Sequence, residues 1–322
     1  MIKTFADWLT YDVFKLAEHT GISDGINFFI YDTVKIGLLL IVVNYIMAIT
    51  RYYFPMERAR DILTKKRWYG LNYLFAALLG IVTPFCSCSS IPLFIGFMGA
   101  GIPLGITFAF LISSPLINES SLYLFPALFG IKVTFLYNLF GLAIAIISGM
   151  LIQKLKVEKY VLPELMQFKS RKQVELENGG NKLSFRQQMV YFWTDGFKIT
   201  KQIFPYVLLG VGIRALIHGL IPANFVEHYL SAKSWWTVPM AVLSGVPLYA
   251  NSVSVLPIMD AMVGKGAPLG TVLAFMTAIV TLSLPEALIL KKVMRWQLLA
   301  IFFGITTIGI IVMGYLFNVI FG

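Results

Sequence analysis

The chain has 322 residues, a formal charge of +10 and a composition that is 58% hydrophobic but only 13% charged. Soluble domains carry about 25% charged residues, so a water-facing surface is excluded, as are a disordered chain and, with only two cysteines, a disulfide scaffold. Apolar stretches such as Ile131 to Ile152 match the ~20 residues that cross a bilayer, and the chain reads as an all-α polytopic membrane protein with lipid as its surroundings.

In chain order, residues 1–27 place Phe5, Trp8, Leu9, Val13 and Leu16 at helical spacing. They predict an amphipathic helix lying in the interface on the non-cytoplasmic side, with no cleavable signal. Residues 28–153 then read as a first transmembrane repeat: a span over Phe28 to Tyr52, an interrupted hairpin over Gly70 to Met98, and spans over Ile102 to Pro126 and Ile131 to Lys154. A hydrophilic loop, 154–189, leads to a second repeat, 190–322. Its spans are Tyr191 to Ala215, Ala267 to Leu290 and Trp296 to Ile320, with a hairpin over Trp235 to Met262.

The positive charge is confined to loops. Arg51 to Arg67 holds six basic residues against two acids, Gln153 to Gln188 eight against four, and Lys291, Lys292 and Arg295 add three more. These loops carry +11 together and leave −1 for the rest, which is the positive-inside pattern and places them in the cytoplasm, with both termini on the other side. The basic residues sit at span ends without interleaved aromatics, so nucleic acid is not an expected partner. No Walker loop or dinucleotide fingerprint occurs, and neither a cofactor nor a bound metal ion is expected.

At an offset of 165 the chain matches itself. Gly80, Ser87, Ser89, Pro92, Gly99, Gly101, Pro103, Leu104, Gly105, Ala109 and Phe110 fall on Gly245, Ser252, Ser254, Pro257, Gly264, Gly266, Pro268, Leu269, Gly270, Ala274 and Phe275. The loop after the first span is strongly basic in repeat one and weakly so in repeat two; the later loop reverses this, with a lone Lys132 against Lys291 to Arg295. Opposite bias at equivalent loops predicts two inverted-topology repeats, the plan of secondary transporters. In both repeats the hairpin is broken by proline, at Pro84 and Pro92 and again at Pro247 and Pro257. Such breaks survive in a membrane only against protein or a water-filled cavity, so a re-entrant or half-helix hairpin beside a substrate site is expected.

Chemistry concentrates at these breaks. In an extended segment Cys86 and Cys88 point the same way, and with Ser87 and Ser89 they offer soft sulfur and hydroxyl donors to a metalloid. The matching stretch supplies Asn251, Ser252 and Ser254 as an amide and hydroxyl face. Cysteine and serine also serve as small packing residues where backbones approach closely. A carboxyl inside the membrane is costly when charged and suited to carrying a proton, which selects Glu119 and Glu286 as coupling candidates. Either also fits a neutral acid capping a broken helix.

Thr83-Pro-Phe-Cys-Ser-Cys-Ser-Ser-Ile-Pro92, Gly99-x-Gly-x-Pro-Leu-Gly105 and Ser113-Ser-Pro-x-x-Asn-Glu119 resemble the bacterial predicted-permease family typified by YraQ and ArsP. The resemblance covers both repeats. It implies a multi-pass protein of the bacterial plasma membrane and, for the ArsP branch, export of trivalent organoarsenicals. A proton-coupled exporter of a small thiophilic solute is therefore expected, not an enzyme. A channel for a small solute, or a membrane thiol-redox protein using Cys86 and Cys88, remains as the alternative, and a homo-oligomer or a partner subunit is left open.

Overall fold

A computed structural model describes residues 2–15, 21–53, 60, 63, 70–82, 87–118, 120–162, 184–220, 234–246, 252–264 and 266–321. Every named element among the described residues is helical, and the β contact they contain is an isolated bridge between Val161 and Met294.

The first half opens with α1 (Ile2–Asp7), which continues as a π-helical turn over Trp8–Val13. Asn27 Nδ2 donates to Asp7 Oδ1 at 2.9 Å, tying this segment to α2 (Gly21–Tyr53). Phe5, Trp8 and Val13 are exposed, while Leu16 lies outside the described residues. Helix α2 begins seven residues before the span expected from Phe28. Docking of α1 extends it through Gly21 and Gly25, as tertiary packing commonly overrides weak local propensity. Then come α3 (Leu71–Val82), α4 (Ser87–Gly99), α5 (Leu104–Leu116), a π-helical turn at Ser120–Leu124 and the long α6 (Phe125–Lys154). Helix α6 kinks at Gly130, where φ is 84°, a conformation that suits glycine.

The second half repeats this order with α7 (Phe185–Leu220), α8 (Thr237–Gly245), α9 (Ser252–Gly264), α10 (Leu269–Thr281), α11 (Leu284–Leu290) and α12 (Trp296–Phe321). Adding 165 to both ends of α4 gives α9, and adding it to both ends of α5 gives α10. The shared glycine-proline string forms the same turn twice. Gly101 (φ 80°) donates to Met98 O and Ile102 to Phe97 O, each at 3.0 Å; Gly266 (φ 88°) donates to Val263 O at 2.9 Å and Ala267 to Met262 O at 3.0 Å. This is a Schellman stop with glycine just past the helix end. Pro103 and Pro268 then occupy the N-cap positions of α5 and α10.

Helices α5 and α10 are the centre of the molecule. Every residue of α5 is buried, and each of the two packs on the flanking helices of its own half, α3, α4 and α6 or α8, α9 and α12. Because lipid tails are as apolar as side chains, such packing depends on close fit more than on the hydrophobic effect. Gly105 meets Gly149 backbone to backbone, and Gly270 meets Gly314 in the same way at the same offset. Across the halves, counterpart packs on counterpart: α2 on α7, α5 on α10, α6 on α12. Helices α5 and α10 have 13 residues each, roughly 20 Å against a hydrocarbon core of about 30 Å, so each is a half-helix. Among the described residues, four segments are long and apolar enough to cross: Gly25–Ile46, Ser121–Lys154, Leu269–Leu290 and Trp296–Phe321. Large apolar side chains stand outward on them, among them Ile131, Phe135, Ile308 and Val319, as a lipid-facing surface requires.

Candidate functional site

Of the hairpin residues singled out in the sequence, Pro84, Cys86, Pro247 and Asn251 lie outside the described residues. Ser87, Cys88 and Ser89 open α4 and Ser252 and Ser254 open α9; these are described as helical backbone only. Two expectations need correction. The helix that begins at Ser87 replaces the extended backbone expected there, so the two-residue alternation does not apply at Cys88. Pro92 and Pro257 are not break points, since each is the sixth residue of a 13-residue helix. A proline so close to a helix start removes a bond from the second turn and leaves the rest intact.

A second break follows in each half, where the sequence suggested continuous spans. Helix α5 stops at Leu116 because Ile117, two residues after Pro115 of the last turn, turns extended (φ −114°, ψ 91°). Asn118 completes the interruption. Its Oδ1 accepts from Ser121 N at 3.1 Å and its Nδ2 donates to Pro115 O at 3.2 Å, so one side chain starts the next segment and satisfies a carbonyl of the last. Ser121 Oγ donates to Asn118 O at 2.8 Å, and Asn138 Nδ2 on α6 donates to Ser121 O at 3.3 Å and Thr134 O at 2.8 Å.

The second half builds the same device with different residues. Helix α10 ends at Thr281, and Ser283 Oγ accepts from Glu286 N at 3.4 Å as the N-cap of α11, with a proline in its first turn. Asn118 and Ser283 correspond at the 165 offset, and so do Ser121 and Glu286. Glu286 is therefore the counterpart of Ser121 in register, not of Glu119, which lies outside the described residues. Both are buried, Ser121 at 0% exposure and Glu286 at 1%, so one break holds a neutral hydroxyl and the other a carboxyl. Helix α11 packs on α7 and on α4, the helix that begins beside the cysteines.

The first break is tied to α10 by a residue to which the sequence reading assigned nothing. Tyr137 on α6 is fully buried, and its hydroxyl lies 3.0 Å from Thr277 Oγ1 on α10 and 3.3 Å from Leu116 O at the end of α5. Thr277 Oγ1 donates to Leu273 O at 2.7 Å, which leaves it to accept from Tyr137. At the offset of 165, Tyr137 corresponds to Phe302, which packs against Phe108 of α5 with ring centroids 5.4 Å apart. The α6–α10 seam thus carries a hydrogen bond where its α12–α5 mate carries a ring contact. The available signal was a lone tyrosine in an apolar span, since polar groups at membrane depth are rare unless they have a task.

A family profile described as "Predicted permease" (ArsP_1) matches residues 22–319. The chain belongs to this predicted-permease family. Members similar to it include UPF0718 protein MJ0584 of Methanocaldococcus jannaschii, 22% identical over 86% of this chain and 93% of that protein. UPF0718 protein YcgR of Bacillus subtilis is 32% identical over 98 residues, 30% of this chain and 33% of its own. No solved structure matches. Membership in the permease family, together with the apolar helices, makes the chain a multi-pass membrane permease for a small solute.

Proposed function

We propose that this permease is a secondary transporter that exports a small thiophilic solute, a trivalent organoarsenical being the chemistry that fits best, in exchange for protons. The observation that carries the reading is the matched pair of helix breaks in the two halves, one of which buries a carboxyl, Glu286. Two halves of one fold in inverted topology can exchange conformations and so expose a central site to either side in turn. That topology is supported by the opposite charge bias of equivalent loops and by the packing of each central helix on its own counterpart.

The substrate would bind between the starts of α4 and α9. Cys86 and Cys88 would touch the metalloid with Ser87 and Ser89 beside them, and Asn251, Ser252 and Ser254 would face its polar part. Trivalent arsenic with one organic group has two exchangeable valences, and capture by one thiol at a time allows release where a firm dithiolate would slow it. Glu119 and Glu286 would carry the proton, each being costly to keep charged at membrane depth. In the bacterial plasma membrane both termini would lie outside and residues 154–189 inside.

Everted vesicles test this directly. Uptake of trivalent organoarsenicals, arsenite and soft metal ions is measured with and without a proton gradient, then repeated with Cys86→Ser/Cys88→Ser, Glu119→Gln and Glu286→Gln. Gradient-driven uptake of an organoarsenical that the cysteine pair abolishes is the expected result. Uptake indifferent to the cysteines removes the metalloid contact, and uptake indifferent to the gradient removes proton coupling.

A further inference from the structure

Two basic stretches far apart in sequence are sewn into one surface. After α6 the chain makes a 3-10 turn over Val157–Tyr160, then pairs with the loop between α11 and α12. Arg295 N donates to Tyr160 O at 2.7 Å, Leu162 N donates to Val293 O at 2.9 Å, and Val161 bridges Met294. Val157, Val161, Val293 and Met294 are buried in the same apolar cluster and pin this strap from below. Gln153 adds a polar tie: its Oε1 accepts from Gly105 N at 2.8 Å and its Nε2 donates to Glu158 Oε1 at 3.0 Å. The strap is thereby fixed to the start of α5 as well as to α12.

The charge that faces outward is nearly all positive. Lys154, Lys156, Lys159, Lys291 and Arg295 are exposed, and residues 154–162 and 291–297 together hold six basic side chains against one carboxylate, Glu158. The surface lies where α6 ends and α12 begins, both long enough to span the bilayer. Leu155 and Trp296 stand exposed on it at 53% and 69%. An exposed tryptophan at a span end marks the headgroup level, so this charge sits where lipid phosphates are. We propose that the strap is a binding site for the phosphate headgroup of anionic phospholipid, with Lys159, Lys291 and Arg295 as its principal contacts and Trp296 against the glycerol and upper acyl region. The inference needs the membrane embedding of the chain and is independent of what it transports.

The test uses the purified full-length protein in detergent, titrated separately with phosphatidylglycerol, phosphatidylcholine and free glycerol phosphate, while melting temperature and co-purified lipid are measured. Phosphatidylglycerol is expected to raise the melting temperature where phosphatidylcholine and glycerol phosphate do not, and the shift should vanish near 1 M salt, where the screening length falls to ~3 Å. Each cation near an anionic surface is worth a factor of roughly five. Lys159→Gln/Lys291→Gln/Arg295→Gln should therefore need on the order of a hundredfold more phosphatidylglycerol for the same shift. Lys3→Gln/Lys132→Gln/Lys198→Gln removes the same charge elsewhere and should titrate as wild type. If the strap triple variant does not fold, Lys291→Gln alone carries the comparison at roughly fivefold. Equal weakening by both triple variants, an equal response to phosphatidylcholine, or an equal shift with glycerol phosphate overturns the site.

Discussion

Ser121 and Glu286 occupy one place in two copies of a helix break, and the exchange of hydroxyl for carboxyl is the largest chemical difference between the breaks. Glu286→Gln keeps size and polarity, so the protein should assemble and melt as wild type while proton-driven uptake in vesicles falls to the level seen without a gradient. Loss of folding instead of coupling would make the residue structural. The glycines separate close contact from open space. A methyl group on Gly105 or Gly270 would run into the backbone carbonyl of Gly149 or Gly314, with Gln153 or Asn318 behind it, whereas nothing lies within 4 Å of one on Gly304. Gly105→Ala and Gly270→Ala should each cost about 1–3 kcal/mol by overpacking, measured by thermal melting in detergent, and Gly304→Ala should cost nothing.

Among the elements, the seam between α6 and α10 turns on a single hydroxyl. Tyr137 has one proton and two acceptors, Thr277 Oγ1 in the other half and Leu116 O in its own, so it can release one half and still satisfy the broken helix. Tyr137→Phe and Thr277→Val should each destabilise, and a double-mutant cycle of melting free energies should show a coupling of about 0.6–1.7 kcal/mol, the range for hydrogen bonds between membrane helices. Additive effects would mean that the hydroxyl serves Leu116 alone. None of this was legible in the sequence, because the partners are 140 residues apart and no local pattern records their meeting. The Gly-x-Gly-x-Pro-Leu-Gly strings were legible, since a helix stop and restart is a local event that glycine and proline encode directly. The break after Leu116 was legible only in outline, as a polar Ser113 to Ser121 stretch inside an apolar span where an acid fits the cap of a broken helix, because the capping by Asn118 is visible only in three dimensions. Pro92 and Pro257 misled for the converse reason: helices α4 and α9 run through them.

At the scale of the whole molecule, transport depends on the direction in which each half faces. Composition and apolar stretches were enough to read an all-α membrane protein, and the repeat was legible because a gapless offset of 165 survives in both residues and helix bounds. The opposite sense of the halves has two supports, the loop charge and the run of α6 against α12, whose contacts step from Phe140–Phe317 through Ile144–Gly309 to the bridge between Val161 and Met294. Lys132 near the start of α6 and Gln297 near the start of α12 correspond at the offset, and both are exposed. In an inverted pair they lie on opposite sides of the membrane; in a parallel pair they share one. Lys132→Cys and Gln297→Cys, each made in a Cys86→Ser/Cys88→Ser background, can be probed with a membrane-impermeant maleimide. Labelling of position 132 in intact cells, and of position 297 only in everted vesicles, is the expected outcome. Labelling of both from one side would remove the inverted topology and with it the exchange of conformations on which alternating access depends.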